Sequence, residues 1–170
     1  MQKILTLLCF FIASIGYSQA PALELTSKGF DPVEGSIPTT ASEKLIELSK
    51  MWAADTNLRI KGYDASNVTS NSMVITAFRK NAFFLRNKGE TFNYNINYSM
   101  KLSFHGNYYT LHFVVNDIYT DDDVIVKYKL PDYFDADGDL KDGYDTLKPS
   151  LERSVNDLVT SYHNFLVNYR

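Results

Sequence analysis

Residues 92–115 read Phe92-Asn93-Tyr94-Asn95-Ile96-Asn97-Tyr98-Ser99-Met100-Lys101-Leu102-Ser103-Phe104-His105-Gly106-Asn107-Tyr108-Tyr109-Thr110-Leu111-His112-Phe113-Val114-Val115. From Phe92 to Phe104 seven apolar residues alternate with polar ones without a break. Side chains of a strand point to opposite faces in turn, so this stretch predicts a long strand with one face buried. Gly106-Asn107 then suits a two-residue hairpin turn, because both residue types tolerate a positive φ. That turn sets a register in which Phe104 faces Tyr109, Leu102 faces Leu111, Met100 faces Phe113 and Tyr98 faces Val115. All of these land on one face. A slip of one residue would set the apolar side of one strand against the polar side of the other. Pattern and turn therefore specify the same antiparallel pair.

The rest of the chain supplies layers for that pair. Thr40-Ala41-Ser42-Glu43 has the form of a capping box, and Leu45, Leu48 and Trp52 follow at helical spacing, so a helix is expected over about 41–55. Leu58, Ile60 and Gly62 alternate with Arg59, Lys61 and Tyr63, which predicts a strand, and the Ser/Asn/Thr-rich run 64–71 reads as a loop. Met73 to Phe78 predicts a further strand that continues towards Leu85 past a bulge near Lys80. Asn87-Lys88-Gly89-Glu90 makes the next turn. Val124 to Leu130 is another strand candidate. Leu147, Leu151, Val155, Leu158, Val159, Tyr162, Phe165 and Leu166 recur every three or four residues and predict a helix over about 147–168, with Pro149 in its first turn.

One polar and one apolar sheet face, with two amphipathic helices to bury, give an α+β fold. The economical solution is a two-layer sandwich, an antiparallel sheet with both helices on its apolar face. The chain has 170 residues with no internal repeat, which suits a single domain over 40–170. Residues 19–39 hold Pro21, Pro32 and Pro38 and predict an extended lead-in, with a short edge strand near Phe30–Glu34.

Residues 1–18 have the layout of a secretory signal peptide: Lys3, then an apolar run from Ile4 to Ile15 too short to span a bilayer comfortably, then small residues. Cleavage after Ser18 leaves Gln19 as the new N-terminus, and the expected location is periplasmic or extracellular. The single cysteine, Cys9, follows Leu7 and Leu8 and lacks the small neighbours of a lipoprotein signal. Its loss with the leader leaves no thiolate, disulfide or zinc–cysteine chemistry. No later stretch reaches about 18 apolar residues, so no transmembrane helix is expected after cleavage.

The order of these elements resembles a family of secreted bacterial proteins described as a domain of unknown function with a TBP-like fold. The resemblance rests on the capped helix ending near Trp52, on Lys101-Leu102-Ser103-Phe104-His105-Gly106-Asn107-Tyr108-Tyr109-Thr110-Leu111, and on the closing helix. It covers roughly residues 30–168. It implies a curved antiparallel sheet with helices on one side. It supplies no catalytic residues and implies no DNA binding, since fold does not fix function.

Charge and motifs narrow the chemistry. Without Lys3, 16 basic residues stand against 20 acidic ones, which argues against a nucleic-acid partner. Nine aspartates and three lysines fall between Asp121 and Asp145. Within that run Asp135, Asp137, Asp139, Asp142 and Asp145 sit at offsets 1, 3, 5, 8 and 11. Alternate aspartates on one loop can supply oxygen ligands, so calcium is the one metal to consider. An EF-hand would need glycine at offset 6 and glutamate at 12, where this chain has Leu140 and Thr146. The simpler reading is a solvated acidic loop.

His105 and His112 share a face but stand about 13 Å apart at a strand rise of about 3.3 Å, too far for one ion. With His163 they read as exposed polar residues, and no Ser–His–Asp set emerges. Arg79, Lys80, Arg86 and Lys88 interleave with Phe78, Phe83 and Phe84 as on a solvated strand pair. Glu43 and Glu47 read as surface residues. No catalytic or cofactor-binding set is expected.

The function that follows is an exported, non-enzymatic binding or accessory module of the bacterial envelope, with an envelope protein or a small ligand as partner. The alternative is a carrier of a small apolar, lipid-like ligand in a pocket between sheet and closing helix.

Overall fold

The structure is a computed structural model and describes residues 19–169; the predicted leader and Cys9 lie outside them. The chain forms β1 (Leu25–Thr26), β2 (Gly29–Phe30), β3 (Val33–Ser36), α1 (Ser42–Asn57), β4 (Tyr63–Ser66), β5 (Ser72–Asn87), β6 (Glu90–Phe104), β7 (Tyr108–Thr120), a 3-10 turn at Leu130–Tyr133, and α2 (Leu147–Asn168). β1 and β2 make a small ribbon. The other strands form one antiparallel sheet in the order β3-β7-β6-β5-β4. Both helices pack on one face of it.

The hairpin at the centre has the register its sequence specifies: Phe104 opposite Tyr109, Leu102 opposite Leu111, Met100 opposite Phe113 and Tyr98 opposite Val115. Gly106 takes φ +81° in the turn; Asn107 does not need a positive φ. Two irregularities bend the long strands. In β5 the pairing shifts between Arg79 and Phe83, with Asn81 at φ +50°, where the bulge was expected. In β7 Asn116 is the extra residue between Val115 and Asp117, and its side-chain amide bonds Asn97 and Ser99 at 2.8 Å each.

The seam between sheet and helices is filled by aromatic rings. Tyr98 stacks on Phe113 at 5.0 Å, and Tyr162 meets Trp52 and Tyr109 edge-on at 5.1 and 5.4 Å. Tyr109 lies across Gly35 of the neighbouring strand. A Cβ there would sit 2.4 Å from the Tyr109 Cζ, so only glycine leaves the ring its place. Burying rings with hydroxyls requires partners for those hydroxyls. Tyr162 pairs with Ser49 at 2.8 Å, and Tyr109 with His163 Nδ1 at 3.1 Å. His163 is fully buried, which corrects the expectation of an exposed histidine; its partner lies 54 residues earlier and is invisible to local pattern.

Three local expectations change. The capping box does not form, because α1 starts one residue later than it requires, with Ala41 at the N-cap and no side-chain cap; Thr40 Oγ1 donates to the Pro38 carbonyl. Residues 58–61 are a helix-terminal turn, where the amides of Ile60 and Gly62 both donate to the Asn57 carbonyl; the strand begins at Tyr63 and uses part of the predicted loop. Val124–Leu130 is not a strand and makes one bridge, Ile125 to Tyr119. The lead-in runs extended and supplies β3. Leu23, Leu25, Phe30 and Ile37 anchor it in the core.

β4 covers only the first part of β5, which would leave the remainder as a bare edge. The start of α2 seals it. Phe84 N–H donates to Ser150 Oγ at 3.3 Å, and Thr146 Oγ1 donates to the Phe84 carbonyl at 2.9 Å. No helix among the described residues is long and apolar enough to cross a membrane.

Burial pushes the hydroxyl of Tyr98 up to about 12, with Asn57 and Arg79 opposing part of the rise, and Tyr133 likewise up to about 12; Tyr109 and Tyr162 are pushed higher still. In the unfolded chain the same groups ionise near 10. The unfolded state therefore loses protons first, so stability is complete below pH about 10 and falls as pH rises towards 12. Absorbance at 295 nm should show these tyrosines ionising together with unfolding, while Tyr162→Phe should make the loss of stability less steep.

Candidate functional site

The acidic loop comes first, because the sequence singles it out. Its shape is set by Asp135. The Asp135 carboxylate accepts the backbone amides of Asp137 and Asp139, both at 3.0 Å, while the Asp135 amide donates to the Asp139 carbonyl at 2.8 Å. Asp137 and Asp139 are exposed, and Asp142 and Asp145 lie beyond the Phe134–Leu140 bridge, also exposed. The five aspartates are not brought together, and among the described residues no three His, Cys, Asp or Glu side chains converge on a point a metal ion would occupy. One oxygen of the Asp135 carboxylate thus forms the turn of the loop.

What the loop does bury is apolar. Leu130, Tyr133 and Phe134 turn inward. Tyr133 meets Phe83 at 6.5 Å and Tyr144 at 4.9 Å, and Phe83 stacks on Tyr94 at 4.9 Å with the rings 7° apart. The loop thus roofs the end of the inner sheet face. Burial raises the Tyr94 hydroxyl, with a smaller contribution from Tyr144 beside it.

The roof stops one pair short. Phe92, paired with Leu85 and next in line after Tyr94 on the inner face, is 44% exposed. This corrects its sequence assignment as a buried position. Two clefts flank the Phe92–Tyr94 ridge. One, of about 520 Å³, is bounded by Leu85, Arg86 and the Asp142–Tyr144 segment. The other, of about 540 Å³, is bounded by Thr91, Asn93 and the Thr120–Asp122 segment with Val124. Val124, Ile125 and Tyr128, on the segment that follows, are 61%, 57% and 61% exposed.

The outer sheet face is different in kind. Phe78 is buried against Tyr119 at 5.4 Å, with the Lys61 ammonium 3.9 Å from the Phe78 ring centre. Lys61 also pairs with Asp123 at 3.0 Å, and Asp123 accepts a bond from Asn95 at 3.2 Å. Lys61 holds the Asp123 carboxyl below the usual range. These contacts tie the loop after β7 to the sheet. They use the charges for structure. His105 stacks on Tyr108 at the hairpin tip and His112 stands opposite Lys101, so the histidines form no shared site.

The open end offers an apolar ridge, two hollows and carboxylates at the rim.

Two solved structures share the architecture. One is a TBP-like protein from Parabacteroides distasonis, 16% identical, matched over 89% of this chain and 99% of that one with a TM-score of 0.56. The fold is TBP-like. A DUF4468 family protein from Bacteroides ovatus matches at 11% identity over 76% of this chain and 78% of that one, with a TM-score of 0.52. No family model and no curated protein matches the sequence. In this TBP-like chain the loop 121–146 is what distinguishes one end of the sheet from the other.

The sequence reading missed the Phe92 clefts, yet a signal existed. A strand of 15 residues is about 50 Å long, whereas a 22-residue helix is about 33 Å. Two such helices leave an end of the sheet to be covered by loops. Asp135→Ala removes the acceptor of two loop amides and is expected to cost about 0.5–1 kcal/mol, whereas Asp137→Ala should leave stability nearly unchanged. Chemical denaturation of the two variants checks this.

Proposed function

We propose that the protein is a non-enzymatic binding module, exported to the bacterial envelope, and that it meets its partner through the open end of the sheet around Phe92. The observation that carries this reading is the exposure of Phe92. It occupies an inner-face position beyond the half-buried Tyr94, in a row that is buried from Ile96 to Phe104, and neither helix nor loop covers it. An exposed aromatic between two hollows is the form of an interface anchor. Among the described residues no polar side chains gather as an acid, base and nucleophile would, which supports binding over catalysis.

The rings that fill the seam between sheet and helices support a surface-contact reading over a carrier with an internal pocket. Tyr98, Tyr109 and Tyr162 are all fully buried there.

A photo-crosslinking residue at position 92, in the full chain produced in its own cells, should yield an adduct in the envelope fraction. The same residue at position 101 on the outer face should yield none. An adduct at 101 and none at 92 would move the contact surface to the other side of the sheet. Phe92→Ala should cost less than about 1 kcal/mol of stability, against about 3–5 kcal/mol for Phe104→Ala, so the two roles separate.

A further inference from the structure

The open end carries charge as well as apolar surface, and its bases divide into those held by a partner and those, Arg86, Lys88 and Lys127, that have no ion pair among the described residues. Lys129 is held by Asp117 and by the Asn116 carbonyl, Lys141 donates to the Asp132 carbonyl, and Lys61 pairs with Asp123. Asp121, Asp122 and Asp142 have no ion pair among the described residues, and all three line the clefts beside Phe92. The cleft on the β7 side has two of these carboxylates, two aromatic residues and no basic side chain in its lining. The cleft on the β5 side contains one base, Arg86, whose guanidinium lies 5.5 Å from the centre of the Phe84 ring.

An apolar ridge flanked by unpaired carboxylates excludes several occupants. Anionic lipid surfaces and nucleic acids are repelled by the excess of aspartate. A purely apolar ligand would leave the carboxylates desolvated without a partner. A hydrated inorganic cation would use the carboxylates and leave the apolar surface of Phe92 exposed to water. The remaining fit is a chain that presents cations and apolar groups together, with aromatic faces to attract those cations and carboxylates to pair them. Two hollows on either side of one ridge also suit successive side chains of one extended segment.

We propose that the Phe92 end is a docking site for a basic, apolar-bearing segment of a partner polypeptide. An apolar side chain of the segment seats on Phe92, and its lysine or arginine side chains face Asp121 and Asp122. This rests on the binding-module reading above and gives the partner its chemistry.

The probe is a capped peptide Gly-Ser-Lys-Leu-Lys-Leu-Lys-Ser-Gly, titrated into the full exported chain, with calorimetry for affinity and amide NMR shifts for location. Two controls replace every lysine by glutamate or every leucine by serine. The lysine–leucine peptide should bind with shifts at residues 91–94 and 120–124. Binding should weaken about tenfold for Phe92→Ala and about tenfold for the double change Asp121→Asn and Asp122→Asn. It should weaken again as salt rises from about 50 to about 500 mM. The glutamate peptide should not bind, and the serine peptide should bind more weakly than the parent.

Equal binding of the glutamate peptide, shifts confined to another surface, or no binding by any peptide at millimolar concentration would overturn the inference. So would a dimer of the chain alone that Phe92→Ala dissolves, since that assigns the surface to a second copy. A photo-adduct at position 92 combined with a failed peptide titration would keep the binding-module reading and reject only this partner chemistry.

Discussion

The structure is organised by a mismatch of lengths. β6 and β7, 15 and 13 residues long, pair from Tyr94–Thr120 to Phe104–Tyr109 in a register fixed by the Gly106 turn. The helices that must cover their apolar side are shorter than those strands when laid along them. At the turn end, Phe104, Leu102 and Met100 lie buried among Tyr109, Leu111 and Phe113. At the far end the helix layer runs out, and the loop between β7 and α2 substitutes for it with Tyr133, Phe134 and Tyr144. The apolar row continues for one position more than the loop covers. Phe92 is that position.

The covered part of the seam pairs its buried hydroxyls with polar groups of the neighbouring elements. The Ser49–Tyr162 and Tyr109–His163 pairs join strand to helix and helix to helix, and each satisfies groups that would be costly to bury alone. Among the described residues Tyr98 is the exception: its buried hydroxyl lies by the Asn57 side chain, yet neither it nor Asn57 Oδ1 closes a hydrogen bond of good geometry. The Tyr98 ring is held by stacking on Phe113 and by the register of the hairpin. Gly35 belongs to the same construction, because the Tyr109 ring can reach His163 only across a residue without a side chain.

Much of this was legible in the chain. The hairpin follows from an unbroken period of two and a glycine turn, and α2 follows from an apolar stripe that runs its whole length. Both signals are long enough that no local interaction outweighs them. Short signals were overruled by neighbours. The alternation at Leu58–Lys61 yields to the turn that ends α1, where Gly62 adopts φ +73°. The helix α1 begins from Ala41, one residue past the position from which Thr40 would cap it. Val124 and Ile125 have the residue types of a strand but lie beyond the reach of all but one bridge. The acidic loop was conspicuous for its aspartates, yet its fold depends on the apolar residues between them. The exposure of Phe92 was legible only as a comparison of strand and helix lengths, since its own alternation marks it as inward.

The central claim is that the inner sheet face is open at Phe92, half-covered at Tyr94 and closed from Ile96 to Phe104. Paramagnetic relaxation of side-chain protons by a soluble, uncharged gadolinium chelate measures this directly. Strong broadening of the Phe92 ring protons, with those of Tyr98, Leu102 and Phe104 protected, is the predicted result. Protection of Phe92 equal to that of Phe104 would contradict the account.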